Sequence, residues 1–180
     1  STRDGLIITR TETSLAIKRG DGGGAMTISV IAEFEETADG KPVRSVTTAT
    51  IGAAPVTTTI VFLPDKIEQT TASGAGEPTV ITAPLPEGVW LTPAAAAEFV
   101  RKRLEADAKE IVVRTLEPSM GLTPIVTTHK VLERTTAEGL GRTIPALKVS
   151  TTIDRMPGVT SESYLDLSGQ AIRTSVNLGG

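Results

Sequence analysis

The stretch Met26-Thr27-Ile28-Ser29-Val30-Ile31-Ala32-Glu33-Phe34-Glu35-Glu36 decides the fold class. Ile28, Val30, Ala32 and Phe34 fall on one side, and Thr27, Ser29, Glu33 and Glu35 on the other. That two-residue period is the signature of a half-buried strand. Ala38-Asp39-Gly40-Lys41-Pro42 follows with an Asp-Gly turn signal, so residues 43–51 should fold back as the second strand of a hairpin. The same texture extends in both directions. Upstream, residues 6–18 read as a strand, separated from the first stretch by a turn at Gly20-Asp21-Gly22-Gly23-Gly24. Downstream, residues 56–63, 66–71 and 79–83 read as strands, and Pro84 and Pro86 end the series because proline cannot donate to a ladder.

The period then changes. Thr92-Pro93 is a helix start, with a threonine placed to accept a bond from a free backbone N–H and a proline at the first helical position. Over 93–109, Ala96, Val100, Leu104 and Ala108 make one stripe at i, i+4 spacing, with Ala97 and Phe99 beside it. Glu98–Lys102 and Glu105–Lys109 are expected ion pairs on the wet side. Strands resume at 111–116, 125–136, 143–154, 159–167 and 170–177. About ten strands joined mostly by tight turns favour antiparallel neighbours, and a sheet that long must twist. The expectation is a mainly β (α+β) fold in a single domain over 1–180. One strongly curved antiparallel sheet of about ten strands would carry a single amphipathic helix on its concave face.

Composition narrows the function classes. A chain of 180 residues, 39% of them hydrophobic, is long enough for a sizeable core, and with only 3% aromatics Val, Ile, Leu and Ala must fill it. The net charge of −3 argues against nucleic acid, whose phosphates require clustered Lys and Arg. No apolar run approaches the roughly 20 residues of a membrane-spanning helix. The absence of cysteine removes disulfides, thiolate nucleophiles and Cys-ligated metals from consideration. The chain opens at Ser1-Thr2-Arg3-Asp4-Gly5 with no initiator methionine, which reads as a processed or excised start.

Few residues offer chemistry. His129, the single histidine, lies in a strand on the face of Ile125, Thr127 and Val131 with no metal-ligand spacing around it. It reads as structural, with a general base as the functional alternative. Glu33, Glu35 and Glu36, with Asp39 beyond, place alternate carboxylates on one strand face. Such a pair can do acid–base work, but it also describes a solvated face that discourages edge-to-edge aggregation. Arg19-Gly20-Asp21 spells an integrin-binding tripeptide, although its glycine-rich continuation reads as a turn. Arg101-Lys102-Arg103 is a basic cluster that helical periodicity spreads over several faces. Trp90 and Phe99 flank the helix entrance as core anchors, or as the lining of a lipid-like pocket. No Gly-x-Ser-x-Gly nucleophile elbow occurs, so the chain is read as not an enzyme, with no catalytic, cofactor or metal residues assigned.

Several segments together resemble a known family. They are Thr13-Ser14-Leu15-Ala16-Ile17-Lys18-Arg19-Gly20, Ile31-Ala32-Glu33-Phe34-Glu35-Glu36-Thr37 and Asp39-Gly40-Lys41-Pro42-Val43. With them go Pro84-Leu85-Pro86, Trp90-Leu91-Thr92-Pro93-Ala94-Ala95-Ala96, Arg114-Thr115-Leu116-Glu117-Pro118, Pro157-Gly158-Val159 and Tyr164-Leu165-Asp166-Leu167-Ser168-Gly169. The pattern resembles the non-catalytic region preceding the catalytic domain in exported bacterial transglutaminase-like proteins of planctomycete type. The resemblance implies an extracytoplasmic accessory domain whose partner is a downstream catalytic domain in the same polypeptide. That family's nucleophile is a cysteine paired with His and Asp, so none of those roles transfers to a residue here. The family's region usually starts one strand further upstream, which implies a trimmed start. The expected architecture is also similar in outline to periplasmic lipoprotein-carrier folds, and the alternative function is binding of a lipid or other hydrophobic ligand. A filled space between helix and sheet favours the accessory reading, and an open apolar cavity favours the carrier.

Overall fold

In the computed structural model, residues 1–18, 25–52, 54–116, 122–139, 141–167 and 169–177 are described. They fall into two compact units, one formed by Ser1–Gly88 with Leu122 and the other by Val89–Leu116 with the chain from Thr123 onward. Among the described residues there are twelve strands and one helix.

The first unit is a seven-stranded antiparallel sheet: β1 (Thr2–Arg3), β2 (Leu6–Lys18), β3 (Ala25–Glu36), β4 (Pro42–Ile51), β5 (Ala54–Phe62), β6 (Lys66–Ser73) and β7 (Thr79–Pro84). The spatial order is the chain order, so each strand pairs with the one made before it. Register partners line up into rows across the sheet. Phe34, Ser45, Ile60 and Gln69 stand opposite one another in turn, and the row ends at Ile81 on the edge strand. This face is the buried one. Phe34 (4% exposed), Ile60 (2%) and Ile67 (0%) form its centre, and the Phe34 and Phe62 rings sit 5.7 Å apart in a tilted pair. The Asp-Gly turn forms as expected: Gly40 takes φ 78°, its N–H bonds to the Thr37 carbonyl, and the Thr37 N–H bonds to the Lys41 carbonyl.

The second unit is a five-stranded antiparallel sheet with a helix. α1 (Pro93–Glu105) leads into β8 (Glu110–Thr115), β9 (Ile125–Gly139), β10 (Arg142–Ile153), β11 (Thr160–Leu165) and β12 (Ala171–Asn177), again in strict chain order. Leu104 of α1 packs into a buried cluster with Ile111, Leu147 and Val149, and Phe99, Val100, Ala108, Val131 and Leu165 pack around it. The predicted stripe therefore faces the sheet, with Ala96 and Leu104 buried, while Ala97 lies outside it, exposed.

Three expectations are corrected. The single curved sheet of about ten strands does not form, because the strands divide seven and five between two open sheets. The helix ends at Glu105 instead of reaching Lys109. Asp107 adopts φ 58°, and the Asp107 and Ala108 amides bond back to the Leu104 and Arg103 carbonyls. That left-handed residue closes the helix in the manner usually given to glycine. Thr92 stands at the N-cap in extended backbone, as expected, and its carbonyl accepts from the Ala96 N–H; its side chain, however, makes no capping bond.

Candidate functional site

The acidic strand face is built by register. Arg10 on β2 stands opposite Glu33 on β3, and Glu35 stands opposite Arg44 on β4. The side chains follow: Arg10 bonds Glu33 at 2.8 Å and approaches Glu12 at 3.7 Å, while Arg3 bonds Glu35 at 2.6 Å with Arg44 4.0 Å away. Glu33 and Glu35 share a face as the alternation required, but each is engaged by arginine. Glu36, one residue on, is turned into the buried face beside Phe34 and is 1% exposed. Asp39 lies in the turn, where the Thr37 hydroxyl first and the Lys41 ammonium second hold its carboxyl below the usual range. Its distance to Lys41 is 2.9 Å.

The basic cluster on α1 is likewise occupied. Arg101 forks onto Glu98 at 2.7 and 2.8 Å and also bonds Glu105. Lys102 reaches Glu98 at 3.3 Å, and Arg103 lies over the Phe99 ring, 5.5 Å from its centroid. The expected Glu98–Lys102 pair is present. Glu105 is taken by Arg101, and Lys109 lies beyond the helix end. The Arg101 hydrogen bond, above all, holds the Glu98 carboxyl down to about 2. Phe99 packs against the buried cluster and Trp90 is half-buried.

His129 sits on β9 between Ile111 on β8 and Thr151 on β10. Its Nδ1 is 2.9 Å from the Thr151 hydroxyl. Burial pushes its pKa below the ordinary value, so the ring is neutral at pH 7. Around it the same face carries Val131, Val113, Val149 and Ile153, which offer no second ligand and no acid. Among the described residues no group of three or more His, Asp or Glu side chains could hold a metal ion. No helix among them is long and apolar enough to cross a membrane. The Arg19-Gly20-Asp21 tripeptide lies outside the described residues.

Long-range pairs were invisible to sequence reading. Arg134 on β9 bonds the Asp107 carboxylate, and Lys148 meets Glu162 at 3.3 Å across β10 and β11. Each joins residues remote in sequence, so no local spacing signals them. The same holds for a transverse row of threonines on the buried face of the first sheet, Thr47–Thr58–Thr71–Thr79. Thr47 Oγ1 in that row is buried without a hydrogen-bond partner.

The chain matches no protein-family model and no curated protein. Among solved structures it is similar to the crystal structure of a β-barrel-like protein of a domain of unknown function, DUF1849, from Brucella abortus. The two share 14% identity with a TM-score of 0.68, over 96% of this chain and 76% of that one. At that identity the likeness is one of fold.

Proposed function

We propose that this chain is a non-catalytic accessory or partner-binding domain of an extracytoplasmic transglutaminase-like protein. The observation that carries the reading is the filled layer between helix and sheet. Leu104 is 7% exposed and lies directly among Ile111, Leu147 and Val149, with Phe99 and Val100 closing the sides. A carrier of acyl chains would need open apolar volume at that position. The counter-charged state of Glu33, Glu35 and Arg101 supports the same reading, since these groups serve the fold.

The experiment joins this chain to, and separates it from, the Cys/His/Asp catalytic domain expected downstream. Loss of thermal stability or turnover in the separated catalytic domain supports the accessory role. Identical behaviour of the two forms overturns it.

The alternative, binding of a hydrophobic ligand, draws on one feature of the seven-stranded sheet. Beyond the threonine row, Ile28, Val30, Ala49, Ile51 and Val56 share the same face, with Ile51 59% and Val56 36% exposed. Native mass spectrometry of the chain as purified distinguishes the two: a retained fatty acid or lipid supports the carrier.

A further inference from the structure

Among the described residues the two sheets have four edges, and they are not treated alike. On β2, the short β1 covers Leu6 and Ile7, and beyond them Arg10 and Glu12 hold charged side chains along the edge. Leu91 covers β8 through a parallel bridge to Thr115, its N–H bonding the Arg114 carbonyl at 2.8 Å. On β12, Arg173 is laid over the Tyr164 ring, 5.0 Å from its centroid. Charge and cover are the usual means by which proteins keep sheet edges from pairing with other chains.

β7 has neither. Thr79-Val80-Ile81-Thr82-Ala83-Pro84 contains no charged residue, and among the described residues β7 pairs only with β6. Thr79 to Thr82 are all exposed, Val80 at 63% and Ile81 at 47%. The run is β-branched at four successive positions, which suits a strand. Prolines at 78 and 84 bound it, so any added ladder is confined to the residues between them.

We propose that β7 is a self-association edge, pairing antiparallel with β7 of a second copy about a two-fold axis through Ile81. The register follows from the pleat. A continuous sheet keeps its buried face on one side, so paired positions must be both odd or both even. Centring on Ile81 sets Ile81 against Ile81, Val80 against Thr82 and Thr79 against Ala83, with Pro78 against Pro84 where the ladder stops. Every cross-strand pair is then uncharged and apolar or hydroxyl-bearing. Centring on Val80 would instead set Pro78 opposite Thr82 inside the ladder. The Ile81-centred pairing extends the row Phe34–Ser45–Ile60–Gln69–Ile81 without a break into the second copy.

The contact is small. β7 offers 6 residues a side, against roughly 20–30 in a stable interface, so association belongs in the range of about 10 µM to 1 mM. Sedimentation velocity of the purified chain across that range tests it. The expected result is a concentration-dependent monomer–dimer equilibrium. Ile81→Lys abolishes it with circular dichroism and melting temperature unchanged, because two ammonium groups then meet at the axis. Ile81→Lys and Ile81→Glu, each monomeric alone, form a dimer when mixed. Val176→Lys on β12 leaves the equilibrium as it was. A chain that stays monomeric to about 1 mM overturns the proposal. So does a dimer indifferent to Ile81→Lys, a mixture of the two charge variants that fails to dimerise, or a dimer dissolved by Val176→Lys.

Discussion

The imidazole Nδ1 of His129 lies 2.9 Å from the hydroxyl of Thr151, its register partner across the β9–β10 ladder. The bond sits on the sheet face that carries the helix-packed cluster, beside Val131 and Val149. The chain's one imidazole is thus held as a neutral strand residue.

This arrangement has a pH signature. Burial lowers the His129 pKa from 6.5, so on acidification the unfolded chain takes up its proton before the folded one does. Within that window the unfolded state binds more protons, and stability falls as pH falls. The loss begins near 6.5 and levels off below the lowered folded value. His129→Gln keeps a group able to bond Thr151 and removes this contribution. Urea midpoints measured at about pH 7.5 and about pH 5 should diverge less in the variant than in the parent chain. Equal divergence in both would show that His129 is not desolvated.

Leu104 is the keystone of the helix–sheet layer. Leu104→Ala removes a side chain that is 7% exposed within the Ile111–Leu147–Val149 cluster. The expected loss on denaturant unfolding is about 2–5 kcal/mol. A loss below about 0.5 kcal/mol would mean that the cluster collapses around the gap or that the helix does not pack there.

Thr47 offers a change in the other direction. Its buried hydroxyl has no hydrogen-bond partner, and such a group destabilises the fold by about 1–3 kcal/mol. Thr47→Val keeps the β-branched shape and replaces the hydroxyl with a methyl. Stability should rise by about 1 kcal/mol, and a fall would reveal a bond to the hydroxyl in solution.

Gly139 and Ile172 form a tight pair. A Cβ built on Gly139 would lie 2.9 Å from Ile172 Cγ2, closer than such atoms come. Gly139→Ala should cost about 1–3 kcal/mol by overpacking. Ile172→Ala removes the obstructing methyl, so the two changes together should cost less than the sum of the separate losses. Simple additivity would place Ile172 elsewhere.

The strands were legible because each carries its own period. The alternation across Met26–Glu36, the Asp39-Gly40 turn and the Ala96/Val100/Leu104 stripe locate β3, β4 and α1 to within a few residues. The partition into two sheets was not legible. Tight turns justify pairing neighbours, but the chain between Pro84 and Glu110 is a long connection containing α1, and β7 and β8 do not pair across it. Local period says which residues extend; it is silent on where a ladder stops. The same limit applied to the candidate site. The crowding of Glu33 and Glu35 on one face was readable, while their neutralisation by Arg10 and Arg3 depended on strands brought alongside by folding.

Both sheets keep chain order without exception, and this bears on how the molecule is made. A strand whose only partners are its immediate predecessor and successor never waits for a distant segment to appear. Each hairpin can zip as it emerges from a ribosome or a secretion pore, and the sheet grows from one side in the direction of synthesis. An interrupted chain would therefore hold a shorter native sheet with one fresh edge, not a scrambled one. Vectorial assembly of this kind is open to a meander and closed to any sheet whose first and last strands must meet.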